Sequence, residues 1–322
     1  MFTAMMDTWS SLALSPWNTD PFRLSTAFAP AAPANAGAFI SDNFDADYGS
    51  LRYKLFVPSQ YDGQPLPLIV MLHGCGQDAD DFASGTGMNA LAEHEGCLVA
   101  YPEQSSSANS SRCWNWFETG HHERGQGEPA LIAGVTRKIM TEYNVDTARV
   151  SVAGLSSGGA MAVIMGRTYP DLYTAVGCHS GLAHGSAKDR YGAMLAMREG
   201  ATDGALARHQ GGASVPIIVF HGDQDSTVHW KNGNGVVRQW LDSYTAQARS
   251  RAALELLEET GHASGRHYTR TVHLGKAGRV VAEQWTVHGT GHAWSGGNVR
   301  GSYTDSNGPD ASVEMLRFFT QR

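Results

Sequence analysis

The chain has 322 residues, of which 42% are apolar and 37 are glycine, and 24 basic against 31 acidic side chains give a formal net charge of −7. That composition excludes an intrinsically disordered chain, and the absence of a basic cluster excludes a nucleic-acid binder. Four cysteines are too few for a disulfide scaffold, and apolar runs such as residues 68–72 fall far below the ~18 that cross a bilayer.

Residues 1–45 read as an N-terminal extension. The first basic residue is Arg23 and the apolar stretch around Leu12 is short, so no secretory signal is expected and the protein is assigned to the cytoplasm. Residues 27–37 are rich in alanine and proline and read as a linker. The remainder, 46–322, reads as one domain. The alternation at 51–57 predicts a strand, and the apolar runs at 67–72 and 98–101 predict buried strands. Residues 128–143 predict a helix, with Leu131, Val135 and Ile139 on one face and Pro129 in its first turn. Then follow a strand at 150–153, a helix at 158–169 stopped before Pro170, and strands at 175–178 and 216–220. A helix at 233–248, two last strands at 268–273 and 280–287, and a closing helix at 311–320 complete the pattern. Strands alternating with helices from residue 66 onward indicate an α/β class, with a mostly parallel sheet covered on both faces. Residues 183–213 exceed an ordinary crossover. They are expected to hold helical stretches at 191–198 and 205–210 and to form either a cap or a surface insertion.

Gly154-Leu155-Ser156-Ser157-Gly158 matches G-x-S-x-G. It follows a predicted strand and opens a predicted helix, as a nucleophile elbow does. The turn needs small residues around Ser156, which the glycines supply, and it aims the Ser157 N–H at a reacting carbonyl oxygen. A serine nucleophile needs a general base, and the base needs an orienting carboxylate. After the strand ending at Phe220, Asp223 and Asp225 compete for that role. Asp223, beside Gly222, reads as a turn former, so Asp225 is favoured. Glycines 289 and 291 let a loop carry His292 over the sheet edge as the base, whereas His288 reads as a structural histidine ending the strand. His288 and His292 are four residues apart but not on a helix, so no zinc pair is expected. His121-His122-Glu123 reads as solvated surface. With no nucleotide-binding glycine loop either, neither metal nor cofactor is expected.

His73-Gly74-Cys75-Gly76-Gln77 follows the 67–72 strand, where a second oxyanion N–H belongs, and Cys75 is the candidate donor. Together with CWNWF (113–117), GEPALI (127–132), GLSSGGAM (154–161), HSGL (179–182), HGDQDSTV (221–228) and GTGHAWSGG (289–297), it resembles the poly(3-hydroxybutyrate) depolymerase-type esterases, relatives of the feruloyl and acetylxylan esterases. The resemblance runs from about residue 48 to 320. It implies an α/β-hydrolase fold, a Ser156, Asp225, His292 triad, and Cys75 and Ser157 as oxyanion donors. It also implies a Cys75–Cys113 disulfide, against which stands the reading of two small buried thiols that a reducing cytosol would favour. Cys97 and Cys178 read as core.

Trp114, Trp116, Trp294 and Gln77 are expected to line the substrate site, with core packing an equal reading for Trp116. The expected reaction is two-step ester hydrolysis through an acyl-enzyme, falling off below about pH 6 as the base protonates. Short-chain hydroxyalkanoate esters or oligomers are the expected substrates, and small or carbohydrate-linked feruloyl and acetyl esters are the alternative. With the chain ending thirty residues after His292, soluble esters are expected rather than an insoluble polymer. No nucleic-acid or membrane partner is expected. A serine peptidase of the same fold would need an added propeller or large cap, and a catalytically silent binding protein would have lost part of the motif set.

Overall fold

The computed structural model describes residues 37–204, 215–247 and 254–320. The linker, most of residues 1–45 and the expected helix at 205–210 lie outside them. Among the described residues, ten strands form one sheet in the order β1-β2-β4-β3-β5-β6-β7-β10-β9-β8. The centre is parallel: β4 (Leu98–Pro102), β3 (Leu66–Leu72), β5 (Val145–Leu155), β6 (Ala175–His179), β7 (Ile217–Gly222) and β10 (Val280–Val287). Its innermost stretches are apolar because both faces are covered, and every residue of β3, β4, β6 and β7 is buried. An antiparallel pair closes each side. β1 (Ala38–Ala46) and β2 (Gly49–Val57) flank β4, and β9 (Arg266–Leu274) and β8 (Glu255–Ala263) flank β10.

Two cores result. On one face α3 (Gly127–Glu142), α4 (Ser157–Thr168) and α6 (Lys231–Gln247) contribute Ile132, Val135, Met161 and Trp240. On the other, α1 (Ala79–Thr86), α2 (Met88–Glu95) and α7 (Ala311–Thr320) contribute Phe82, Met88, Met315 and Phe319. α5 (Arg190–Glu199), begun by the Asp189 side chain accepting the Gly192 N–H, packs beside α6. No helix of the described residues is long and apolar enough to cross a membrane.

Four expectations change. The boundary at residue 46 falls too late, because β1 already pairs with β2 from Ala38 to Ala46; its mixed AFISDNFDA pattern hides a one-sided edge strand. The strand expected at 150–153 extends to Val145–Leu155. The strands at 268–273 and 280–287 are not the last, since β11 (Trp294–Ser295) and β12 (Thr304–Asp305) form a small parallel pair. β8, α1 and α2 were not anticipated. The two helices have eight residues each and meet at Gly87, whose φ of 64° suits glycine.

Candidate active site

Ser156 sits between the end of β5 and the start of α4, with φ 58° and ψ −118°. The turn closes this tightly because its flanking residues lack side chains. A Cβ on Gly154 would lie 2.4 Å from the Gly158 carbonyl, and one on Gly158 would lie 2.0 Å from the Leu72 carbonyl oxygen. The Ser156 N–H donates to the His179 carbonyl at 2.9 Å, tying the elbow to the end of β6. Ser156 is half-buried and Ser157 is buried.

β7 and β10 are parallel neighbours, so the loops leaving them emerge side by side. His292 Nδ1 lies 2.7 Å from Asp225 Oδ2. Asp225 is 3% exposed, and its other oxygen accepts the N–H groups of Thr227 and Val228 at 2.9 and 2.8 Å. Burial pushes the Asp225 pKa up, but hydrogen bonds from His221 and His292 and from the Val228 amide outweigh it, holding the group below the usual carboxylate range. An ionised Asp225 can only accept, so the Nδ1 of His292 carries the proton and its Nε2 is left as a base.

The two residues passed over in the sequence pair with one another. Asp223 Oδ2 accepts from His288 Nδ1 at 2.9 Å, and Asp223 Oδ1 accepts the Gly289 N–H at 2.7 Å. The Gln224 N–H donates to the Thr290 carbonyl at 3.1 Å. This outer pair fixes the loop after β10 against the loop after β7, two residues before Asp225 and four before His292.

The loop after β3 completes the arrangement. A Cβ on Gly74 would lie 3.6 Å from the Ser156 Cβ, so residues 73–77 pass beside the elbow. Cys75 and Cys113 form a disulfide, and the Ser157 hydroxyl is 3.4 Å from the Cys75 sulfur. Among the described residues, the main-chain N–H groups of Cys75 and Ser157 donate to no protein acceptor. Cys97 and Cys178 are free and buried.

The expected lining residues are supports instead. Trp114 is fully buried, with its indole N–H donating to the His73 carbonyl at 3.1 Å. Trp294 is fully buried against His179 and Phe82, with its N–H on Ser312 Oγ at 3.0 Å. Trp116 is 5% exposed in the core. Gln77 is 2% exposed; its oxygen accepts the Gly74 N–H at 2.9 Å and its amide donates to Asp81 and Ser302. Aromatic residues in loop motifs suggest a pocket, whereas the indole N–H groups of Trp114 and Trp294 are used up inside the fold. His122, expected on the surface, is 4% exposed, with Nε2 2.7 Å from the Trp116 carbonyl.

Two contributors went unread. His179, the first residue of HSGL, is stacked between Phe220 and Trp294 and accepts the Ser295 N–H at Nε2, 3.0 Å away. It thereby joins the elbow to the segment just after His292. Burial pushes its pKa down to about 3, so it stays neutral. Glu128, in GEPALI, is buried and accepts from the Asn115 N–H, the Asn115 side-chain amide and the Gln104 amide. Gln104 also donates to the Cys113 carbonyl, so this cluster holds the segment carrying one half of the disulfide. The signal was present in each case: a polar residue fixed between apolar stretches needs buried partners.

Comparison with known proteins agrees with this architecture. The family model described as Esterase PHB depolymerase matches residues 51–262. The poly(3-hydroxyalkanoate) depolymerase C of Paucimonas lemoignei is 32% identical over 261 residues, which cover 78% of this chain and 60% of that protein. Feruloyl esterase B of Neurospora crassa is 34% identical over 143 residues, covering 44% of this chain and 48% of its own length. The chain therefore spans about half to three-fifths of these relatives. The solved acetyl xylan esterase from Aspergillus awamori superposes with a TM-score of 0.67 at 20% identity, covering 87% of this chain and 98% of that one. The fold they share is the α/β-hydrolase fold.

Proposed function

Because this chain belongs to the Esterase PHB depolymerase family, we propose that it hydrolyses carboxylic esters through an acyl-enzyme formed on Ser156. The observation that carries the reading is the 2.7 Å contact of His292 Nδ1 with buried Asp225. It lies on loops tied through His179 to the Ser156 elbow.

In the proposed reaction His292 Nε2 takes the Ser156 hydroxyl proton as the oxygen attacks the ester carbonyl. Asp225 holds the imidazole in the required tautomer and stabilises the imidazolium that forms. The N–H groups of Cys75 and Ser157 receive the oxyanion; one such donor is typically worth ~10²–10³ in kcat. His292 then returns the proton to the leaving alcohol. Water, deprotonated by the same imidazole, releases the acid and restores Ser156.

Short-chain hydroxyalkanoate esters and their oligomers are the proposed substrates, on the similarity to the Paucimonas lemoignei depolymerase. A carbohydrate-linked ester is the second reading. It rests on the similarity to feruloyl esterase B of Neurospora crassa. The disulfide supports an oxidising compartment over the cytoplasm expected from the sequence.

The test is hydrolysis of p-nitrophenyl esters of increasing acyl length, a feruloyl ester, an acetylated xylo-oligosaccharide and soluble 3-hydroxybutyrate oligomers by wild type and Ser156→Ala. Oligomer turnover lost in the variant supports the first reading. Preference for the feruloyl or sugar ester reverses the ranking and keeps the mechanism. No turnover by wild type overturns the esterase reading and leaves a binding protein.

A further inference from the structure

β8, β9 and β10 form an antiparallel layer at one side of the sheet. His262 faces His267 across the β8–β9 pair. The β9–β10 register runs through Tyr268↔Val287, so His267 stands opposite His288, and the His288 N–H donates to the His267 carbonyl at 2.9 Å. Side chains alternate between the two faces of a strand. His262, His267 and His288 therefore form one row across three strands, and Thr260, Thr269 and Thr286 form the row beside it. The three imidazoles open into one cavity of about 460 Å³.

We propose that His262 and His267 bind a borderline divalent transition-metal ion, Cu²⁺ or Zn²⁺, with His288 flanking the site. Neutral imidazole is a good ligand for these ions. The His262 and His267 ring centroids are 4.9 Å apart. That spacing lets both rings address one ion at the ~2.0–2.1 Å metal–nitrogen distance. Both residues are exposed, and among the described residues no hydrogen bond engages either ring. Binding therefore displaces only water. Among the described residues no three metal-ligating side chains already surround one point, so two rings and solvent make the shell. His288 is restrained by Asp223 through Nδ1 and by Thr269 Oγ1 at Nε2, 2.9 Å each. With both ring nitrogens engaged, it walls the site and is not one of the ligands. Arg266, next to His267 along β9, lies on the opposite face and pairs with Asp305, so it brings no charge against the ion. Bound there, the ion would cross-link the outermost strand to its neighbour. This inference does not depend on the esterase reading.

The experiment is calorimetric titration of the full chain with Cu²⁺ and with Zn²⁺, for wild type, His262→Gln, His267→Gln, the double variant and His288→Gln. Melting temperatures without metal check that each variant folds. The expected result is one site in wild type, weakened at least tenfold by either single change and lost in the double variant. His288→Gln weakens it less. The copper complex of wild type should give an electron paramagnetic resonance spectrum coupled to two imidazole nitrogens. Unchanged affinity in the double variant, or no binding to wild type, overturns the proposal.

Discussion

Ser156 is held at a φ that a residue with a side chain seldom adopts. Such strain typically costs ~1–3 kcal/mol and is kept where the surroundings over-determine it. Both Ser156→Ala and Ser156→Gly are expected to abolish ester turnover, but only glycine relieves the strain. In urea denaturation the glycine variant should be more stable than the alanine variant by roughly 1 kcal/mol; the reverse order would mean that the turn is unstrained. His179 and Asp225 set the acid response in turn. The His179 pKa lies near 3 against an ordinary 6.5. The unfolded chain therefore takes up a proton that the folded one refuses, and stability falls as pH drops below about 6.5. The contribution of Asp225, whose pKa is depressed, is full above the ordinary carboxylate range and is lost as pH falls through that range toward the depressed value, where the unfolded carboxyl is protonated and the folded one is not. His179→Gln should flatten the upper part of this acid limb in denaturation curves taken across pH. An unchanged slope would assign the proton uptake elsewhere. In the sequence Asp225 stands out over Asp223 and His292 over His288 because turn and strand-end positions have ordinary explanations. That Asp223 and His288 bond to each other needed three-dimensional register, which no spacing rule supplies.

Elements meet most closely where β3, β5 and α4 converge. A methyl on Gly158 would lie 2.0 Å from the Leu72 carbonyl oxygen, far inside van der Waals contact, and backbone cannot step aside as a side chain can. Gly158→Ala is expected to cost about 3 kcal/mol or more, read from the denaturation midpoint. A loss below 1 kcal/mol would mean that α4 can slide. The central strands and helices were legible because burial on both faces writes continuous apolar runs and 3.6-residue periodicity into the chain. β1 and β8 were not, because an edge strand buries one side at most and its pattern blends into loop. β8, with exposed Glu255, Leu256 and Glu258, carries no apolar alternation that points outward or inward. α1 and α2 were too short for their periodicity to stand out from a glycine-rich loop.

Over the whole molecule the disulfide joins loops that the parallel core leaves separate. It closes a sequence separation of 38 residues, for which the chain-entropy relation gives ~4 kcal/mol of stability. Reduction without unfolding should lower kcat more than it raises KM, because the Cys75 amide belongs to the proposed oxyanion site and not to a substrate pocket. Parallel kinetics with and without dithiothreitol, at a temperature where the fold survives, test this. Equal loss in both parameters would speak for general loosening. The fold class and the Asp225–His292 contact are legible in the sequence because short motifs sit at strand ends, where a parallel sheet must gather its loops. The burial of Trp114, Trp116 and Trp294 is not legible in the sequence, because a place in a loop motif says nothing of which way a side chain turns.

Among the described residues the sheet has two open sides, and each ends in a strand bearing carboxylates: Asp45 on β1, Glu255 and Glu258 on β8. An unpaired strand is a template for another chain, and charge on it keeps copies apart. At neutral pH two molecules meeting side by side would bring like charges together along the very rows of amides that could join them. Acid removes that repulsion and weakens the fold at once, so the conditions that unfold this protein are also those in which its outer strands become adhesive. Precipitation into β-rich aggregates, more than clean reversible unfolding, is the fate this geometry sets for the molecule in acid.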